Sequence, residues 1–246
     1  MDKIRIGIVN YLNTRPLLYG LERLPIRERI SLSLDYPANI ATQLKSGQID
    51  LGLVPVALKK QMPSLQRVGM HCIATHGEIA SVCLFSEVPL AAIRTVLLDY
   101  QSRTSVALLR ILLRHHFKKE VQVVSTSGDE YIEQIAGDRA GLIIGDRALQ
   151  SRDRFAYCYD LGSAWKQFTG LPFVFAAWFS AIDLTEEFLE AFNSANQLGL
   201  DHLLEVLQGI DKPVGYDLSH YFTSNVQYRW QPVMQESLDL FLGLAE

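Results

Sequence analysis

A two-lobed α/β protein is what this sequence predicts, and three observations carry the prediction. Short apolar runs rich in Ile, Val and Leu alternate with helical patterns along the chain. Those runs are apolar at nearly every position, which suits strands covered on both faces by helices and so a largely parallel sheet. Two extended proline-bearing stretches, Ser86–Leu90 (SEVPL) and Leu171–Trp178 (LPFVFAAW), interrupt the alternation. Two crossings divide the chain into a discontinuous lobe, residues 1–86 with 177–246, and a continuous lobe, residues 87–176. Lobes joined in this way form a hinge that closes over a ligand between them.

The predicted strands are Ile4–Val9, Ile49–Pro55, Ile79–Ser86, Thr95–Asp99, Val121–Ser125, Gly141–Gly145 and Phe173–Ser180. Pro37–Ser46 reads as a helix, with proline in the first turn, Ile40 and Leu44 on one face, and Gly47 as the stop. Thr104–His116 places Val106, Leu109, Leu112 and Leu113 on one side. Its basic residues Arg110, Arg114 and His115 gather near its end, where positive charge complements the helix dipole. Leu184–Leu207 is a longer helical pattern, and Trp230–Leu244 is a final amphipathic segment. Neither an internal repeat nor a low-complexity linker is visible.

Composition narrows the function classes. Hydrophobic residues make up 48% and charged residues 20% of the 246, an ordinary balance for a packed globular chain. A net charge of −4 without a polybasic run gives no electrostatic reason to expect nucleic acid or an anionic membrane as partner. Cys72, Cys83 and Cys158 lack CxxC or Cys/His ligand spacing and read as reduced core residues. The start, MDKIRIGIVNYLN, has no stretch suited to a secretory h-region, and no run reaches about 18 apolar residues. The expectation is a soluble, cytoplasmic protein; a homodimer is compatible with the sequence but not required by it. GxGxxG, P-loop, HExxH and GxSxG motifs are absent, so the sequence predicts no cofactor, no metal and no covalent nucleophile.

Ligands of open α/β sheets sit beyond the carboxyl ends of strands, where helix N-termini offer free N–H groups. Five segments satisfy that placement. In Asn10–Gly20 (NYLNTRPLLYG), Asn13 and Thr14 follow the first strand and Pro16 opens a helix, so their side chains cap it or face the cleft. Arg15 reads as an exposed charge. Val54-Pro55-Val56 offers main chain only. Ser81 interrupts an apolar strand, and its hydroxyl needs a partner, either within the protein or on a carboxylate ligand. Ser102, Thr104 and Ser105 open a helix; capping employs one hydroxyl, and three within four residues favour anion contact. Asp146, after Gly145, binds ligand, acts as a base or caps the helix from Arg147. His115 and His116 read as surface residues. His71 and His76 lie near a strand and could approach the cleft.

Taken in order, VNYLNTRPL, GQIDLGLVPV, SVCLFS, SRTSVALLR, GLIIGDRAL and DLGSAWKQFTGLPFVFAAW resemble the chorismate dehydratases of the futalosine route to menaquinone. The likeness runs from Ile4 to about Tyr228, and the pairing of YLN…PL with W…TGLPF is its most specific part. The resemblance implies a type II periplasmic-binding-protein-like fold. It further implies an enzyme, a hydro-lyase, that removes water from chorismate to give 3-[(1-carboxyvinyl)oxy]benzoate. On that reading Asn13 aligns the ring, while Ser81, Thr104 and Ser105 hold carboxylate oxygens; the base is Asp146 or the substrate's own enolpyruvyl carboxylate. The sister enzyme dihydroxynaphthoate synthase shares the fold, but its usual opening motif has no match here. A non-catalytic binder of a small carboxylate is the alternative from another class.

Overall fold

The computed structural model describes residues 3–23, 25–210 and 215–245. Strands β1 (Ile4–Val9), β2 (Ile30–Asp35), β3 (Leu51–Pro55) and β4 (Gln66–Thr75) come first. Next are β5 (Val82–Ser86), β6 (Thr95–Leu98), β7 (Gln122–Ser125), β8 (Arg139–Ile144) and β9 (Tyr157–Asp160), and the chain returns with β10 (Phe173–Ser180) and β11 (Gln227–Arg229). They form two sheets, in the orders β11-β4-β10-β3-β1-β2 and β7-β6-β8-β5-β9.

Both sheets are mixed rather than largely parallel. β1 runs parallel to β2 and β3, and β6 to β7 and β8. β10, however, is antiparallel to β3 and β4, and β5 to β8 and β9. A run apolar at every position records burial on both faces and says nothing of direction, so this feature had no sequence signal. Strands β2, β4, β9 and β11 also escaped notice. β2 lies at an edge with a mixed burial pattern, and the first half of β4 is partly exposed.

The expected lobe boundary at residues 86/87 would leave β5 with the first sheet, but β5 pairs with β8 and β9 in the second. The chain changes sheets earlier, between β4 and β5, through residues 76–81. Asp160 gathers that segment: its carboxylate accepts the N–H groups of Ile79 and Ala80 at 2.8–3.2 Å while also capping the Leu161–Thr169 helix through Ser163. Ala80 is held at φ +63°, a left-handed conformation that a non-glycine residue adopts only when its surroundings fix it. The return crossing precedes β10, whose first residue already belongs to the first sheet. SEVPL is therefore a turn inside the second unit.

Packing fixes where the first loop lies. Ile6 and Ile8 of β1 are fully buried, and burial of each such side chain is worth about 1.5–3 kcal/mol. The Arg15–Leu21 helix lies directly on the Glu186–Asp201 helix. A Cβ on Gly20 would stand 1.7 Å from the Ala195 carbonyl oxygen, and one on Gly199 1.6 Å from that of Pro16. Reciprocal glycines let the two backbones touch, and this anchors the residues that follow Asn13.

The helices differ in detail from the pattern. Arg103–Ile111 continues as a wider π-type turn, Leu112–His116, and the long C-terminal pattern breaks at His202 into Glu186–Asp201 and Leu203–Gln208. His115 and His116 are half-buried against Phe168, with ring centroids 6.4 and 5.9 Å away, rather than free at the surface. The three cysteines are free thiols. Among the described residues no helix is long and apolar enough to cross a membrane.

Candidate active site

A cleft of about 510 Å³, counted to its open mouth, lies where elements of the two sheets meet. Asn13, Thr14, Pro55, Ser81, Ser102, Thr104 and Ser105 all line it. Its remaining wall is apolar, including Val9, Leu53, Ile73, Ile144 and Phe175. Such a surface suits a ring, with hydrogen-bonding groups only where the ring carries substituents.

The hydroxyls differ in what they have left to give. Ser102 caps the Arg103–Ile111 helix: its Oγ accepts the Ser105 N–H at 3.0 Å and donates its own proton to Ser105 Oγ at 2.9 Å, which leaves the Ser105 proton available to a ligand. Thr104 Oγ1 accepts the Ala57 N–H at 3.2 Å, so its proton remains available to a ligand. Thr14 lines the cleft with its methyl side, because its hydroxyl bonds the carbonyls of Val9 and Tyr11. Ser81 is 1% exposed and accepts the Tyr221 hydroxyl at 2.8 Å. Arg15 is exposed, as its position implied. Pro55 pairs with Ala176 of β10, and the Val56 N–H beside it meets the Phe175 carbonyl at 3.1 Å.

Three hydrogen bonds tie elements of one sheet to elements of the other across this region. The Ala57–Thr104 bond is one. The Leu12 N–H donates to Asp146 Oδ1 at 3.0 Å, and the Tyr11 hydroxyl donates to Gln101 Oε1. Gln101 passes the chain on to Tyr100 at 2.7 Å, and Tyr100 to Asp129 at 3.1 Å. Gly145 gives Tyr11 its room: it sits at φ +65°, and a Cβ there would meet the Tyr11 ring at 3.2 Å.

Asp146 stands beside the cleft, not in its wall. Burial raises its carboxyl above the usual range, with the Leu12 N–H and the charges of Arg15 and Arg147 opposing that rise. Asp99, at the end of β6, is better satisfied: it accepts from Gln101 N, Tyr131 Oη, Ile144 N and Arg147 Nη2 at 2.7–3.2 Å. Of the histidines, His71 is buried with its Nε2 3.3 Å from Gln197 Oε1, and His76 is exposed; neither lines the cleft. Burial lowers His71 below the usual imidazole range.

Tyr11, Gln101, Phe175 and Tyr221 were missed by the sequence reading. Tyr11 was within reach, since it sits in the same loop as Asn13. Tyr221 was not: it arrives from a turn 140 positions beyond Ser81, and nothing near it in the chain marks a site.

Two sheets meeting at a cleft, with two chain crossings between them, define the class of two-lobed proteins built like periplasmic solute binders. Solved structures agree on that fold. A protein from Archaeoglobus fulgidus matches with a TM-score of 0.72 at 12% identity, over 98% of this chain and 96% of that one. The alkanesulfonate-binding protein of Xanthomonas axonopodis pv. citri, solved with MOPS bound, matches at 0.63 and 13% identity, over 99% and 93%. A Candida albicans gene product, described as exhibiting the generic periplasmic binding protein fold, matches at 0.66 and 9% identity, over 100% and 92%. The particular family follows from sequence. Residues 4–246 match the family described as menaquinone biosynthesis, and the chain belongs to it. Among curated relatives, the chorismate dehydratase of Thermus thermophilus is 29% identical, over 88% of this chain and 86% of that protein.

Proposed function

We propose that this protein is a chorismate dehydratase, a hydro-lyase converting chorismate to 3-[(1-carboxyvinyl)oxy]benzoate and water. One observation carries the reading beyond family membership: Asn13, Ser81, Thr104 and Ser105, far apart in sequence, converge as neutral polar groups on one apolar cleft. A cyclohexadiene ring that carries a carboxylate, a hydroxyl and an enolpyruvyl ether with a second carboxylate is the guest such a wall would hold.

The chemistry asks little of the protein. The proton leaves the ring carbon that bears the enol ether, the C–H electrons become a ring double bond, and the neighbouring carbon expels its hydroxyl as water. Because the product ring is aromatic, the balance is strongly downhill and the barrier lies in geometry. Holding the leaving proton, base and hydroxyl in a reactive arrangement is worth up to about 7–11 kcal/mol. Thr104, Ser105 and Ser81 hold the carboxylates, Asn13 aligns the ring, and Thr14, Pro55 and Ser102 shape the wall.

For the base, the geometry favours the substrate's own enolpyruvyl carboxylate. Asp146 lies outside the cleft wall and is engaged with the Leu12 N–H, so its role in this reading is to latch the two halves together. Closure of the halves around the substrate would exclude water and strengthen each polar contact.

Incubation of purified protein with chorismate, followed by mass, tests the proposal. Loss of one water supports it; retention of unchanged chorismate would make the protein a binder, and indifference to chorismate would end the reading.

A further inference from the structure

Asn13 and Ser81 are both held by one C-terminal segment. Tyr228 Oη donates to the Asn13 carbonyl at 2.8 Å. Tyr221 opens the turn Tyr221–Asn225, is 1% exposed, and donates its hydroxyl to Ser81 Oγ at 2.8 Å. The turn is fastened to the 76–81 crossing that bears Ser81: Tyr216 Oη donates to Asn225 Oδ1 at 3.1 Å, and Asn225 Nδ2 to the Glu78 carbonyl at 3.2 Å.

A phenol has one proton, and this one is given to Ser81. The Ser81 hydroxyl therefore cannot return its own proton to Tyr221, and it has no other side-chain partner among the described residues. Its proton is left for the cleft that it lines. The phenol oxygen keeps lone pairs, which only a donor can use.

We propose that Tyr221 is a positioning residue that sets the polarity of Ser81, making its hydroxyl a hydrogen-bond donor toward the ligand. The inference rests on the dehydratase reading for its ligand: a carboxylate requires the donor. Tyr221 does not line the cleft, and its effect passes through Ser81.

The test uses Tyr221→Phe, Ser81→Ala and the double variant, each checked for fold by circular dichroism and melting. Tyr221→Phe is expected to lower kcat/KM on chorismate by about tenfold, the worth of one well-made hydrogen bond. Ser81→Ala should cost much less in the Tyr221→Phe background than in the wild type, because the first change has already removed the orientation. A purely packing role for Tyr221 would give additive losses and overturn the proposal, as would unchanged kinetics in Tyr221→Phe. A second measurement needs no turnover: the Ser81 side-chain resonances, assigned by their loss in Ser81→Ala, should shift in Tyr221→Phe. If they do not move, the proposal fails even with an active enzyme. If they move while the wild type leaves chorismate untouched, the hydrogen bond stands and the dehydratase reading is what falls.

Discussion

One helix, Arg103–Ile111, forms a wall of two very different hollows. On one side, buried Thr104 and Ser105 face the cleft that also holds Asn13 and Ser81. On the other, Arg103, Val106, Ala107 and Arg110 face a wider groove of about 1,670 Å³, shared with Lys60, His115 and the C-terminal helix. The spacing 103, 106, 107, 110 is that of one helical face, and its cations are the solvated side of an amphipathic helix. The groove has the volume and the charge, yet its arginines Arg103 and Arg110 are exposed to solvent. The cleft has neither, but its hydroxyls are buried where one misplaced donor is costly. A doubly negative substrate does not demand a buried arginine. Bringing such a charge into the interior carries a desolvation penalty, and grip shared equally by substrate and product would slow release without speeding chemistry.

The first way to break this contrast is Asn13→Ala. It should lower kcat/KM for chorismate by on the order of 100-fold, the usual cost of a preorganised polar group at a reacting centre. Its melting temperature should stay near that of the wild type, because the bond from Tyr228 goes to the main-chain carbonyl and survives the change. Full activity in this variant would remove Asn13 from the chemistry. Next come Ser81→Ala and Thr104→Val, each expected to raise KM about tenfold through a lost donor. Thr104→Val should also lower stability by about 1–3 kcal/mol, since it strands the buried-side Ala57 N–H. Urea denaturation separates the two variants, with the larger loss expected for Thr104→Val.

How far the sequence could lead is visible in these same residues. Thr104 and Ser81 were legible because a hydroxyl in an apolar strand end or helix start requires a partner, and that requirement is local. The cap by Ser102 was equally local. Strand order was not, since β10 enters the first sheet antiparallel between β3 and β4 without any mark on its own residues. Tyr221 and Gln101 were illegible for a related reason: their roles depend on which distant loops the topology brings together. The lobe boundary was misplaced because proline in SEVPL signals a turn, and a turn within one unit looks the same as a passage between two.

Asp146→Asn sharpens the contrast from the side of the latch. The asparagine Oδ1 still accepts the Leu12 N–H, so if the substrate supplies the base, turnover should persist. A fall of about 100-fold or more would instead make the aspartate the base. Stability gives an independent reading. Burial raises the Asp146 carboxyl in the folded chain, so at a pH between the ordinary carboxylate value and the raised one, the folded state keeps a proton that the unfolded state has lost. Its contribution to stability therefore falls as pH rises through that window and is level above it. Asp146→Asn lacks this loss, so melts from about pH 4 to pH 7 should show the variant gaining on the wild type as pH rises. A constant difference across that range would mean that burial does not govern this carboxyl.

The smallest expected effect carries the most weight for the comparison. Arg110 is exposed in the large groove, seven positions along the helix from Arg103 and on the face turned from the cleft. Arg110→Ala should leave kcat and KM within about twofold at physiological salt, where water and salt largely screen an exposed charge that does not line the cleft. At low salt the same variant should show a modest rise in KM, because long-range attraction of a dianion then depends on net local charge. A tenfold loss at physiological salt, equal to that of Thr104→Val, would mean that the groove binds the substrate or feeds it to the cleft. The division between a chemical face and a solvated face of this helix would then be wrong.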